Sequence, residues 1–180
     1  MCGINGIFSK TEINDLDNRI ESMNKSIFHR GPDHGGKKII NKKIALGHRR
    51  LSILDLEERS NQPMQSNTKR FIIVYNGEIY NFQELKNKIE YNYVTKCDTE
   101  VILACLEMKS LDWFLDNANG MFSIAIYDQI ENEIILIRDR FGIKPLYYSI
   151  VNQKLIFSSE IKGILSSGLV EAEFQEEAVD

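Results

Sequence analysis

The chain has 180 residues, 43% of them apolar and 27% charged, which suits one soluble domain with a real core and is short for two. Its net charge of −4 gives no general electrostatic reason to bind nucleic acid or an anionic lipid surface. No apolar run reaches the roughly 18 residues of a membrane span and no basic-then-apolar leader opens the chain, so no membrane role is expected and the cytoplasm is the default compartment.

Residues Cys2–Phe8 are apolar and β-compatible. Asn14–Phe28 reads as an amphipathic helix, because Leu16, Ile20, Met23 and Ile27 recur at helical spacing and Asn14 or Asp15 can cap its start. Arg30-Gly31-Pro32-Asp33 ends it. Lys37–Ile40 and Lys43–His48 read as two strands around Asn41-Lys42, and 55–68 as loop. Phe71–Tyr75 reads as a strand running into Asn76-Gly77-Glu78, a turn by composition. Phe82–Ile89 reads as a short helix, and Glu100–Met108 as a helix that Asp98 and Thr99 can cap. Met121–Tyr127, Glu133–Ile137, Leu146–Val151 and Leu155–Ser158 read as strands, and Lys162–Leu165 as the start of a small helix. Many strands, few helices and no regular βαβ alternation give an α+β expectation, with antiparallel sheets.

Cys2, Cys97 and Cys105 are a sparse, odd set, which argues against a disulfide framework and for a reducing compartment. None of them has zinc-ligand spacing, and His29, His34 and His48 are not clustered with them, so no metal site is expected. Cys105 reads as core and Cys97 as packing near Asp98. Cys2 is different. Once Met1 is removed, one residue carries both a thiol, which needs a base to become a good nucleophile, and an α-amine of pKa roughly 7.7–8.0, which serves as that base near neutral pH. The bland reading is a small apolar residue in a first strand.

Other residues fit a cysteine amidase. The Asn76 amide and the Gly77 N–H can converge on one oxygen as oxyanion donors, although a plain Asn-Gly turn is the simpler reading. A guanidinium at Arg50 suits a carboxylate. Asp98 can hold an ammonium, cap a helix, or do both. A carboxylate at Glu78 would oppose an oxyanion, so it reads as substrate positioning. No Ser-His-Asp constellation can be assembled, and the three histidines read as structural or exposed.

These residues sit in segments that resemble one family. They are Met1-Cys2-Gly3-Ile4, His29-Arg30-Gly31-Pro32-Asp33, Gly47–Ile53, Asn61-Gln62-Pro63-Met64, Tyr75–Asn81, Asp98-Thr99-Glu100, Asn119–Phe122 and Arg138–Tyr148. In this order, the chain resembles the glutaminase domain of class II glutamine amidotransferases, which are N-terminal-nucleophile hydrolases, and most of all that of glutamine-hydrolysing asparagine synthetases. The resemblance implies a four-layer αββα sandwich of two mainly antiparallel sheets. It implies hydrolysis of the glutamine side-chain amide to glutamate and ammonia, with Cys2 as nucleophile and its α-amine as base. Asn76 and Gly77 would form the oxyanion hole. Arg50 would bind the α-carboxylate of L-glutamine and Asp98 its α-ammonium, with Glu78 assisting and main-chain groups of Leu51 and Ile53 lining the pocket. Arg30 and Arg138–Tyr148 would shape loops and the ammonia exit.

The Ser-Gly-Gly-x-Asp-Ser pattern of the ATP-using half of such enzymes does not occur. Residues 1–170 are therefore expected to be the glutaminase domain, and 171–180 an acidic tail or the start of a linker to a C-terminal or separate synthetase domain. No cofactor is expected for the glutaminase step; ATP and Mg would belong to the synthetase domain. A homodimer is admitted but not required. The rival functions are a non-catalytic glutamine-sensing or docking module of the same fold, and another N-terminal-nucleophile amidase of the penicillin or bile-salt hydrolase kind.

Overall fold

The computed structural model describes residues 1–52, 55 and 57–173. In chain order the elements are β1 (Gly3–Ser9), α1 (Leu16–Ser26), β2 (His34–Ile40), β3 (Ile44–Arg50), β4 (Met64–Gln65), β5 (Phe71–Ile79), α2 (Phe82–Asn87), α3 (Asp98–Met108), α4 (Leu111–Asn117), β6 (Gly120–Asp128), β7 (Glu133–Arg138), β8 (Tyr147–Val151), β9 (Lys154–Ser158) and α5 (Ile161–Leu165). The first sheet has the order β2-β3-β1-β9-β8 and the second β4-β5-β6-β7. Every pairing between these strands is antiparallel.

Alternation along the strands sorts the core into three layers. Ile4, Ile44 and Leu46 of the first sheet meet Ile72, Val74, Ala125 and Tyr127 of the second, with Phe157 among them. Their sequence neighbours point the other way. Ile7, Ala45 and Ile156 pack on Leu16, Ile20 and Met23 of α1 and Ile164 of α5. Ile73, Tyr75, Ile124 and Ile126 pack on Leu85 of α2, on α3 and on Phe114 of α4. Helix, sheet, sheet, helix is thus the layer order, and the αββα expectation holds. Within the first sheet, Gly6 leaves room for the ring of its cross-strand neighbour Phe157, from which a Cβ would lie 2.2 Å.

Four local readings change. Asn76-Gly77 is no turn: β5 runs through both, with Asn76 opposite Ser123 and Gly77 opposite Phe122. The glycine serves close approach rather than a bend, since a Cβ there would lie 2.3 Å from the Met121 carbonyl oxygen. Helix α3 begins at Asp98 itself; Cys97 is its N-cap and makes no side-chain cap bond. At the start of α1, Asp15 holds the cap position in a left-handed conformation (φ 57°), again without a side-chain cap bond. Helix α4 was not anticipated, although Ser110 caps it by accepting from the Trp113 N–H at 3.1 Å. The hairpin connection has three residues, Asn41, Lys42 and Lys43, with positive φ at the first two (49° and 53°), and the Lys43 N–H closes it on the Ile40 carbonyl at 3.0 Å.

Phe157 is fully buried between the sheets. Phe157→Ala is expected to cost about 3–5 kcal/mol of stability, read as a fall in the urea midpoint, because neither sheet can move in to fill the space. A change under about 1 kcal/mol would mean that the inter-sheet layer does not hold the fold together.

Candidate active site

The same alternation that builds the inter-sheet core also builds the pocket. The inward positions run Cys2, just ahead of β1, and Ile4 on it; on β3 they run Ile44, Leu46, His48, Arg50; on β5 they run Ile72, Val74, Asn76, Glu78. At one end of the sandwich the inward residues change from aliphatic to polar on all three strands. That end opens into a pocket lined by Cys2, His48, Arg50, Leu51, Ser60, Gln62, Tyr75, Gly77, Glu78, Cys97, Asp98 and Thr99. Its cavity volume is about 90 Å³.

Cys2 is partly buried, and the main chain of Leu51 straddles its sulfur. The Leu51 N–H donates to Sγ at 3.4 Å, and the thiol donates to the Leu51 carbonyl at 3.6 Å. Arg30 holds the same residue from behind, donating from Nε to the Cys2 carbonyl at 2.9 Å and from Nη1 to Glu160 at 3.0 Å. Burial alone would raise the Glu160 carboxyl, but hydrogen bonds from Arg30, His29 and Lys162 overcome it and bring the group down to about 2. Met1, ahead of this clamp, is exposed.

Asn76 does not line the open pocket. It is 2% exposed, faces the inter-sheet layer, and its Nδ2 has no hydrogen-bond partner among the described residues. A buried amide N–H₂ left without an acceptor is a donor waiting for an oxygen. Gly77 and the exposed Glu78 follow it at the pocket.

Arg50 is 6% exposed. Its Nη1 donates to the Glu57 carbonyl at 3.2 Å and to Asn61 Oδ1 at 2.7 Å, and its Nη2 donates to the Asp55 carbonyl. The guanidinium therefore ties the 55–61 loop to the end of β3. Asp98 is buried, and its Oδ2 accepts from the Tyr75 hydroxyl at 2.7 Å and the Ile79 N–H at 3.1 Å. Desolvation raises its carboxyl, and the Tyr75 and Ile79 donors work against that. Ile53 lies outside the described residues. The structure thus brings Cys2, Arg50, Leu51, Gly77, Glu78 and Asp98 around one pocket, with Asn76 directly beside it in sequence. Cys97, read as packing, also lines it; Cys105 is core. Among the described residues no group of three or more His, Cys, Asp and Glu could hold a metal ion.

Two pocket residues carried no signal of their own. Gln62 joins the layers, accepting from the Tyr75 N–H at 2.6 Å and donating to Thr99 Oγ1 at 3.2 Å. His48 is fully buried, and its Nε2 donates to the Tyr75 carbonyl at 3.1 Å, a bond between the two sheets. Burial pushes its imidazole down to about 3, with a smaller opposing effect of the Tyr75 carbonyl and further depression by the Arg50 charge. It is a neutral strut, not an acid or base. Because its folded value lies below the ordinary one of about 6.5, the stability it contributes is complete above about pH 6.5 and is lost as the pH falls toward 3. The His48 ring resonances are expected to stay fixed between about pH 8 and 5 in an NMR titration; a midpoint above about 6 would show a solvated ring and a loosened sheet pair.

The whole chain, residues 1–180, matches the model of the glutamine amidotransferase domain family. The "Putative asparagine synthetase (glutamine-hydrolyzing) 2" of Methanocaldococcus jannaschii is 45% identical over 185 residues, covering 92% of this chain and 35% of that protein. Asparagine synthetase (glutamine-hydrolyzing) 2 of Bacillus subtilis is 41% identical over 170 residues, covering 92% of this chain and 22% of that protein. The chain thus spans about a third or less of the length of these relatives. Among solved structures, the glutamine phosphoribosylpyrophosphate amidotransferase of B. subtilis shares the fold, with a TM-score of 0.80 at 20% identity over 93% of this chain and 44% of that one. By its sequence over the full 180 residues, the chain belongs to the glutamine amidotransferase domain family.

Proposed function

We propose that the chain hydrolyses the side-chain amide of L-glutamine to glutamate and ammonia, and that the ammonia feeds an ATP-dependent amidation of the asparagine synthetase type. The observation that carries this reading is the Cys2 sulfur under the Leu51 N–H, in a pocket that also holds a buried guanidinium and a buried carboxylate. A free amino acid has one pole for each, and a ligand lacking either would leave a desolvated group unpaired.

In this mechanism Met1 is removed and the α-amine of Cys2 takes the thiol proton. The sulfur attacks the amide carbon, and the carbonyl oxygen becomes an oxyanion held by Asn76 Nδ2 and the Gly77 N–H. Collapse of the intermediate expels ammonia, protonated by the α-ammonium, and leaves a γ-glutamyl thioester. Water, deprotonated by the same amine, releases glutamate and the thiol. Arg30, through the Cys2 carbonyl, holds the nucleophile in place. Arg50 captures the α-carboxylate. Asp98, with Glu78 assisting, takes the α-ammonium, and Leu51 and Ile53 line the pocket by their main chains. Residues 1–170 would form this glutaminase unit. The glutaminase step needs no cofactor; ATP and Mg would act on the amidating unit, joined C-terminally or separate. The three cysteines are unpaired, which supports the cytoplasm as compartment; among the described residues no helix is long and apolar enough to cross a membrane.

Purified protein is expected to release ammonia from glutamine, to lack Met1 by intact mass, and to lose activity in Cys2→Ala. Retained Met1 in fully active protein, or activity surviving in Cys2→Ala, would refute the mechanism. Glutamine binding measured calorimetrically with no ammonia released would favour a sensing module instead. Asn76→Ala is expected to lower kcat on the order of 10²–10³-fold with a much smaller change in KM; an unchanged kcat would remove Asn76 from the oxyanion hole.

A further inference from the structure

Tyr75 stands where three elements meet. Its main chain sits between the sheets: the carbonyl accepts from His48 of β3 at 3.1 Å, and the N–H donates to Gln62 at 2.6 Å. Its side chain points the other way, toward α3, where the hydroxyl donates to Asp98 Oδ2 at 2.7 Å. Tyr75 is 3% exposed. Asp98 begins α3, and the Ile79 N–H at 3.1 Å is the second donor to the same oxygen. Both of these donors converge on Oδ2, and the Thr99 and Asp98 backbone N–H groups at the start of α3 also bond the carboxyl, so its direction is fixed from β5 and from the helix together.

We propose that Tyr75 is a positioning residue for substrate selection: by holding Oδ2 of Asp98 it aims the remaining carboxylate oxygen at the α-ammonium of the substrate. This rests on the assignment of the ammonium to Asp98. Tyr75 touches no reacting atom, so its contribution belongs to capture of the amino pole and not to chemistry at the amide. Its peptide also immediately precedes Asn76-Gly77, so the grip on the amino pole and the oxyanion donors share one stretch of strand.

The carboxyl of Asp98 is buried, and burial favours its neutral form; the Tyr75 hydroxyl favours the ionised form. An ionised carboxylate attracts an ammonium and a neutral one does not. The other titratable and charged groups around this pocket are Glu78 on β5, Cys2 ahead of β1, His48 and Arg50 on β3, and Cys97 ahead of α3. None of them changes in Tyr75→Phe, so a difference between that variant and the parent reports on Asp98.

The test compares two amides in the full chain, L-glutamine and its deaminated analogue 4-carbamoylbutanoate, which keeps the amide and the carboxylate but has no ammonium. Tyr75→Phe is expected to raise KM for glutamine about tenfold with kcat within about twofold, and to move the acid limb of kcat/KM for glutamine to higher pH. It is expected to leave kcat/KM for the deaminated amide at the parent value. That second substrate doubles as the check that the variant is folded. Equal losses on both amides would mean a structural role and overturn the proposal, as would an unchanged KM for glutamine. Asp98→Asn separates this from the underlying reading. If Asp98→Asn impairs glutamine selectively while Tyr75→Phe is silent, Tyr75 alone is dismissed. If Asp98→Asn treats the two amides alike, Asp98 does not hold the ammonium and both assignments fall.

Discussion

Everything about this site follows from the face-to-face register of two antiparallel sheets. Strand alternation puts every second residue into the layer between them, so one structural rule governs both the core and the pocket. Over most of that layer the inward residues are Ile4, Ile44, Leu46, Ile72 and Val74. At one end the same positions become Cys2, His48, Arg50, Asn76 and Glu78. A slip of one residue in any of these strands would trade the whole inward set for its outward neighbours, and polar groups would enter the core as the pocket lost them. The site is the unfinished edge of the core, and the aliphatic part of the layer supplies its rigidity.

The polar end needs its own support, because buried polar groups are costly unless partnered. His48 spans the gap between the sheets, with Tyr75 as its acceptor, and Gln62 and Asp98 extend the chain of hydrogen bonds to α3. Arg30 and Glu160 do the same behind Cys2. Nearly every polar side chain at the pocket is therefore held by a neighbour on a different element. Asn76 is an exception, its amide nitrogen lacking an acceptor among the described residues, and that exception falls where an oxyanion donor is expected.

The α+β class with antiparallel sheets was legible from local signals, β-like runs without βαβ alternation and a 3.6-period stripe at Leu16, Ile20 and Met23; the four-layer order came only through the family resemblance, because which faces pack together is a tertiary matter. The segments carrying Cys2, Arg50, Asn76 and Asp98 were legible too, through their joint resemblance to one family. What misled was composition without context. Asn-Gly signals a turn in an isolated peptide, yet here the glycine is what lets β6 approach Met121 to Gly77 inside a strand. Asp98 stands one place inside the helix rather than ahead of it, and its carboxyl bonds both the Tyr75 hydroxyl and the first backbone N–H groups of α3. His48, read as structural or exposed, proves to be structural, and only its strand parity decides between the two. The clamp between Arg30 and Glu160 joins residues 130 positions apart and leaves no trace in spacing.

That clamp has a practical corollary. Arg30 fixes the Cys2 carbonyl, and Leu51 fixes its sulfur, so two of the three arms leaving this residue are already tied down. Only the amino side is left to vary. Under the mechanism proposed above, a purification handle placed ahead of Cys2 would leave the sandwich intact and yet acylate the nitrogen assigned as the base, so such a fusion would be well folded but inert unless a protease restored the Cys2 start.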